Sequence, residues 1–323
     1  MGKPADAPDV QANWRSKFVA TATTKAYQTG AAGARLLPQG VANGAAKVLS
    51  LGLRHGLKDR RMMVARHQQR IARGTLDAKQ LDTQVKKSFD SYAQYWVDSF
   101  RLTGRTTAEV DAGFRVDGAH HIDEALSLGK GAILAMPHIG AWDYGGAWVA
   151  HHWPLTVVAE RLEPPELFDW FCQQREANHL KMVALGPEAG PVLLSALRKN
   201  ELIGLLCDRD IAGGGIEAEF FGERTTFPAG PATLSLRTGA IILPNAVFQE
   251  GAMAHGVIRP PLQFERSSKL RADISALTQL LVGELETLIR MAPEQWHVLQ
   301  PVWPSDPVID LGRWPGSAPT RRE

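Results

Sequence analysis

Residues 131–146, GAILAMPHIGAWDYGG, constrain the fold more than any other stretch of the chain. Ala132, Ile133, Leu134, Ala135 and Met136 form a short continuous apolar run, which reads as a buried strand of a mostly parallel sheet. Pro137 ends the run, His138 follows at once, and Asp143 comes five positions later. Tyr144, Gly145 and Gly146 then lead into the helix-like Ala147-Trp148-Val149-Ala150. A polar pair at the carboxyl end of a buried strand lies where open α/β sheets place their ligands. Neutral imidazole takes a proton from a hydroxyl near neutral pH, and a carboxylate nearby holds the ring and favours the imidazolium that forms. His138 and Asp143 are therefore suited to deprotonating an alcohol, although an ordinary surface loop can carry the same spacing.

At 323 residues the chain makes one large domain or two small ones, with room for a substantial core. Charged residues are 22% and hydrophobic ones 44%, which is a globular balance. Cys172 and Cys207 are the only cysteines, so a disulfide framework and a multi-thiolate metal site are excluded. No stretch approaches the roughly eighteen consecutive apolar residues of a membrane-spanning helix. The N-terminus lacks the charged, apolar and cleavage segments of a signal peptide, so the expected location is cytoplasmic. The net charge of +2 is unevenly placed: residues 1–80 hold fourteen Lys and Arg against four Asp and Glu, a balance of +10 that leaves −8 for the rest.

Residues 1–10 are expected to be disordered. From Asn13 to about Arg73, small apolar residues alternate with Lys and Arg, and Gly30, Gly33, Pro38, Gly40 and Gly44 are expected to break this region into short helices. Such a surface suits anionic lipid; a helical subdomain with a solvated basic face, or nucleic-acid contact, has the same composition. Residues 83–102 carry Phe89, Ala93, Trp96 and Phe100 at helical spacing, which reads as an aromatic core stripe.

After Gly113 the pattern becomes α/β. Strands are expected at Thr156–Glu160, Met182–Leu185, Leu202–Cys207 and Ala240–Phe248, with two more reaching Phe264. Helices are expected at His120–Leu128, from Pro164 and Pro165 to about Asn178, and at Val192–Lys199, Ala232–Thr238 and Ile274–Met291. The predicted organisation is a basic helical N-terminal segment (1–110), an α/β core (111–303) and an irregular tail (304–323). The fold class is α/β, a central mostly parallel sheet flanked by helices.

Three strand ends then carry charge: His138 with Asp143, Glu160 with Arg161, and Asp208-Arg209-Asp210. Parallel strands of one sheet bring such ends to one edge. Arg161 and Arg175 have the planar fork that binds phosphate, although each is equally suited to an exposed ion pair. Gly213-Gly214-Gly215 lacks the Lys-Ser/Thr of a phosphate loop, no Ser occupies a G-x-S-x-G elbow, and the tandem His120-His121 and His151-His152 do not have helical metal-ligand spacing. No metal site is predicted.

PHIGAWD, VVAERLEPPELFDWFCQQRE, CDRD and GIEAEFFGERTTFPAGPATLSLRTGA together resemble the blocks of the lysophospholipid acyltransferase superfamily. The resemblance extends from SYAQYWVDSFRL to the helix after Pro231, about half the chain. It is nearest to the branch of lipid A late acyltransferases and actinobacterial phosphatidylinositol mannoside acyltransferases. VAERL, the SYAQYW helix and the R-D-x-x-x-x-G-I-E run lean towards the mannoside enzymes.

The resemblance implies acyl transfer from acyl-CoA, as co-substrate and without a further cofactor, to a sugar hydroxyl of a phosphatidylinositol mannoside or related glycolipid. His138 would be the general base and Asp143 the partner carboxylate of the motif. Asp208 stands where the mannoside enzymes carry a glutamate that supports the histidine, and its side chain is one methylene shorter. Arg175 matches a family site arginine, and Phe227, Pro228 and Gly230 belong to the third block. With Glu160, Arg161 and Arg209 at the strand ends, these form the expected substrate-binding set. The basic N-terminal segment then suits a peripheral protein on the anionic cytoplasmic face of the cell membrane, with no nucleic-acid partner. A lipid A type acyltransferase and a non-catalytic lipid-binding protein are the alternatives.

Overall fold

The computed structural model describes residues 10–309 except Ser268, with side chains from residue 21 onward. Of residues 1–10, expected to be disordered, 1–9 lie outside the described residues, as does the tail from residue 310, while Val10 is helical.

Four helices come first: α1 (Val10–Leu36), α2 (Gln39–Gly56), α3 (Lys58–Ile71) and α4 (Ala78–Leu102). The expected breaks at Gly30, Gly33, Gly40 and Gly44 do not occur; the chain turns at Pro38, and again at Leu57 between α2 and α3. An internal glycine costs about 1 kcal/mol in a helix, and helices this long absorb it by packing. α2 buries only the small residues Ala42, Ala46 and Ser50, and it lies against α4. α4 begins with a capping box: Asp77 accepts from the Gln80 backbone while the Gln80 side chain accepts from the Asp77 backbone. Phe89, at the centre of α4, is fully buried.

The α/β region follows as α5 (Thr107–Ala112), β1 (Phe114–Asp117), α6 (His120–Ser127), β2 (Ala132–Met136), α7 (Trp142–His152) and β3 (Leu155–Ala159). It continues with α8 (Pro165–Glu176), β4 (Lys181–Ala184), α9 (Ala189–Arg198), β5 (Leu202–Leu206), β6 (Ile216–Phe220) and β7 (Glu223–Phe227). The last elements are α10 (Gly230–Thr238), β8 (Ile241–Glu250), β9 (Met253–Ile258) and α11 (Leu270–Met291), closed by a short turn at Pro293–Gln295. Seven strands form one sheet in the order β1-β9-β8-β2-β5-β3-β4, parallel except for the β8–β9 pair. The fold is the expected α/β class. β2 lies at its centre, buried on both faces as its continuous apolar run requires: Ile133 and Ala135 face one core layer, Ala132 and Leu134 the other. The first layer is filled from α9, α10 and α11, and Ile71 of α3 joins it, so the N-terminal helices share the core of the sheet.

Two details differ from the expected pattern. One strand, not two, follows β8, because Pro260 and Pro261 remove the backbone donors that a second would need. β7 pairs with β6 in a separate hairpin whose two-residue turn, Phe221-Gly222, has φ of 49° and 82°. Positive φ at both central positions matches the right-handed strand twist.

Candidate active site

β2 and β5 are adjacent and parallel, with Met136 opposite Leu206. Two residues further along each chain, that register brings His138 and Asp208 face to face. Asp208 Oδ1 lies 2.6 Å from His138 Nδ1, and Asp208 Oδ2 accepts from the His138 backbone N–H at 2.8 Å. The indole Nε1–H of Trp296 donates to the same Oδ2 at 2.8 Å. Asp208 is buried, and burial alone would raise its pKa. The imidazole beside it and the donors from His138 and Trp296 outweigh burial and hold it below the ordinary carboxylate value. A carboxylate on Nδ1 puts the ring proton there and leaves the Nε2 lone pair free.

The turn carrying His138 is fixed by its backbone. Gly140 has φ +58°, and a Cβ there would lie 2.2 Å from the Val247 carbonyl oxygen. Ala141 N–H donates to that same oxygen at 2.8 Å, and Gly140 N–H donates to Gln295 O at 2.9 Å. Trp142 opens α7, stacks on Tyr95 at 3.9 Å and stands edge-on to the His138 ring at 5.5 Å.

Asp143 does not hold the imidazole. The first turn of α7 directs it towards α4 and α8, where Arg175 forks onto it from Nε at 3.0 Å and Nη2 at 3.1 Å. Tyr95 O–H donates at 2.9 Å and Ser99 O–H at 2.5 Å. Burial opposes the charge on Asp143, but Arg175 and the two hydroxyls hold its pKa below the usual range. Burial likewise opposes the charge on Arg175, yet Asp143 drives the guanidinium further above its ordinary value. Arg175, expected as a phosphate ligand, is thus the clamp of a structural ion pair in the cavity wall. Tyr95 and Ser99, four apart on α4, present one polar face offset from the aromatic stripe, a legible signal that the stripe overshadowed.

His138 lies in the wall of an open cavity of about 2330 Å3. Apolar lining comes from Leu134, Val157 and Gly204 of the sheet and Gly145, Gly146 and Val149 of α7. Glu160, Arg209, Pro228 and Gly230 also line it, and Arg209 pairs with Glu160 at 3.5 Å. Arg161 is exposed and outside the lining. Phe227 is 2% exposed and packs edge-on against Phe220 at 5.2 Å, so it belongs to the core and not to the cavity wall. His297, which lines the cavity, is buried: burial and the neighbouring His138 push its pKa down to about 3. Its Nε2 lies 2.8 Å from Ser91 Oγ. Among the described residues, His120, His121 and Glu124 are the one group whose potential metal donors lie within 4.8 Å of one another, and they stand on α6 outside the cavity lining.

Trp296 and His297 lay in a stretch without periodicity or motif, and nothing in the sequence flagged them. The other members of the arrangement are the strand-end residues: a half-buried imidazole on a buried carboxylate, facing a largely apolar cavity, which can deprotonate a hydroxyl beside a lipid-like group.

Residues 10–305 match the family model of the bacterial lipid A biosynthesis acyltransferases. A phosphatidylinositol mannoside acyltransferase of Mycobacterium tuberculosis is 36% identical over 300 residues, covering 90% of this chain and 92% of that protein. One of Mycolicibacterium smegmatis is 34% identical over 288 residues, covering 88% and 92%. A lipid A biosynthesis acyltransferase of Haemophilus influenzae is 24% identical over 225 residues, 68% of each chain. This chain, with its dyad at the head of β2 and β5, belongs to the bacterial lipid A biosynthesis acyltransferase family.

Proposed function

We propose that this protein transfers a fatty acyl group from acyl-CoA to a sugar hydroxyl of a phosphatidylinositol mannoside at the membrane surface. The observation that carries the reading is the dyad: Asp208 on Nδ1 leaves Nε2 of His138 for the substrate hydroxyl. Nε2 takes the hydroxyl proton as the oxygen attacks the thioester carbonyl. The tetrahedral intermediate collapses, the C–S bond breaks, and the imidazolium returns the proton to the departing CoA thiolate. Asp208 stabilises the imidazolium meanwhile. No covalent acyl-enzyme is required. The apolar lining around Leu134, Val157 and Gly204 suits an acyl chain. The choice of acceptor rests on the two mycobacterial relatives, which are named for that glycolipid.

The membrane surface is supported by α2. With its small residues turned inward, it exposes Val41 (53%), Val48 (73%) and Leu51 (53%), and Lys47 stands among them. No helix among the described residues is long and apolar enough to cross a membrane, so the contact proposed is peripheral, on an anionic cytoplasmic leaflet.

The test is mass spectrometry of lipids after incubation with palmitoyl-CoA and either phosphatidylinositol mannosides or lipid A precursors. An acylated mannoside supports the reading. Acylation of the lipid A precursor alone would replace the acceptor, and binding of both lipids without thioester turnover would replace the enzyme by a lipid-binding protein.

A further inference from the structure

Trp296 is 2% exposed and sits beyond the end of α11, far along the chain from the residues it serves. Two backbone hydrogen bonds bind its segment to the turn that carries the base. Gly140 N–H donates to Gln295 O at 2.9 Å and His297 N–H donates to His138 O at 2.8 Å, which together make an isolated antiparallel bridge between Ile139 and Trp296. The indole is held from behind by the rings of His67 at 5.3 Å, Phe220 at 5.8 Å and Trp303 at 6.1 Å. His67 and Trp303 are themselves anchored, through Val298 O at 3.1 Å and Phe220 O at 2.9 Å. The indole N–H thus meets Asp208 from a rigid wall.

We infer that Trp296 is a positioning residue for the base, the third member of a His138–Asp208–Trp296 relay. The inference rests on the reading of His138 as the base in acyl transfer. A carboxylate on a short Asp side chain rotates about its last torsion unless both oxygens are tied. The His138 backbone N–H and the indole N–H together tie Oδ2, which aims Oδ1 at Nδ1. Removing the indole donor leaves a buried carboxylate oxygen one partner short, and the ring loses its fixed support. It also concentrates charge on Asp208, which favours the imidazolium.

Trp296→Phe keeps an aromatic ring in the cluster and removes the N–H. The expected result is a fall in kcat of about ten- to a hundredfold, the usual size of a lost supporting hydrogen bond at a site, with KM for palmitoyl-CoA little changed. The acidic limb of the pH profile should move up, since the base becomes harder to deprotonate. A merely structural role would lower the amount of folded protein and leave that limb in place. Because the variant can fail to fold, a second measurement uses Trp296 intact: the indole N–H resonance should shift upfield in Asp208→Asn, where the charged acceptor is gone. An active wild type with unchanged kcat and pH profile in Trp296→Phe, or an indole resonance indifferent to Asp208→Asn, overturns the role of Trp296. A wild type without acyl transfer overturns instead the reading of the site on which it rests.

Discussion

Asp208 and His138 are seventy residues apart in the chain, and the carboxylate Oδ1 lies 2.6 Å from the imidazole Nδ1. This contact is the continuation of a parallel strand register, Met136 beside Leu206, into the first turns beyond the sheet. Cys207 N–H donates to Met136 O at 2.8 Å and locks that register one residue before Asp208. A strand-end Asp reaches the ring because β2 and β5 are nearest neighbours.

The two carboxylates of the site should behave differently when neutralised. Asp208→Asn should leave the fold intact and slow acyl transfer by several powers of ten, as loss of a base-orienting carboxylate does elsewhere. Asp143→Asn should act first on stability, because it leaves the half-buried Arg175 without its counter-charge. Breaking a fully buried pair from one side costs roughly 3–5 kcal/mol, which is the upper bound for this one. Chemical denaturation and initial rates on the same preparations separate the two. Equal stability losses, with equal rate losses, would contradict the division of labour.

Acid should destabilise the protein in two stages. His297 takes its proton near pH 6.5 when unfolded and only near 3 when folded, so the unfolded state binds the extra proton between those values. Stability therefore falls as pH drops from about 6.5, by up to roughly 5 kcal/mol at the low end. The depressed carboxylates Asp143 and Asp208 act later: their contribution is present above the ordinary carboxylate range and is lost as pH falls below about 4. His297→Gln, which retains a donor towards Ser91, should remove the first stage and leave the second. Melting temperatures measured from pH 7 to pH 3 decide this.

α2 should dock on anionic vesicles through both apolar and basic residues. Val48→Asp with Leu51→Asp should reduce flotation with vesicles and change stability by no more than about 0.5 kcal/mol, since both positions are exposed. Charge reversal at Lys47 of α2 and at Lys25 of the preceding α1, both exposed, should weaken binding further, by up to about 1 kcal/mol per residue, and less so at high salt. Arg35 is unsuitable for this test because its Nε donates to Phe100 O at 3.0 Å. Flotation unchanged by all four substitutions and indifferent to salt would remove α2 from the membrane contact.

The parts of the site legible in the sequence were those that a buried parallel strand must deliver. The apolar runs of β2 and β5 gave the sheet, and their ends gave His138 and Asp208. Which carboxylate meets the imidazole was not legible, because a five-residue spacing states distance along the chain and not direction. The first turn of α7 rotates Asp143 away towards Tyr95, Ser99 and Arg175. Arg175 was expected at the substrate for its planar fork and for its match to a family arginine, and Phe227 for its place in the third block of the resemblance. Each is instead engaged by a neighbour brought in by tertiary packing, Asp143 for one and Phe220 for the other. Trp296 was invisible for the same reason: its partner is 88 residues away, and no local pattern announces a single indole donor. The N-terminal glycines misled in the opposite sense, since burial against α4 outweighs their low helix propensity in α2.

The central claim is that His138 is the base that activates the acceptor hydroxyl. Its most direct test is the initial rate of acyl transfer from palmitoyl-CoA to a phosphatidylinositol mannoside, measured for the wild type and for His138→Ala, with circular dichroism confirming that both are folded. His138 packs at the cavity wall and not in the core, so the variant should fold normally. The account predicts that ester formation and CoA release fall together by at least about a thousandfold in the variant. A folded His138→Ala protein that keeps more than about a tenth of the wild-type rate would contradict it, and the proton would have to leave by another route.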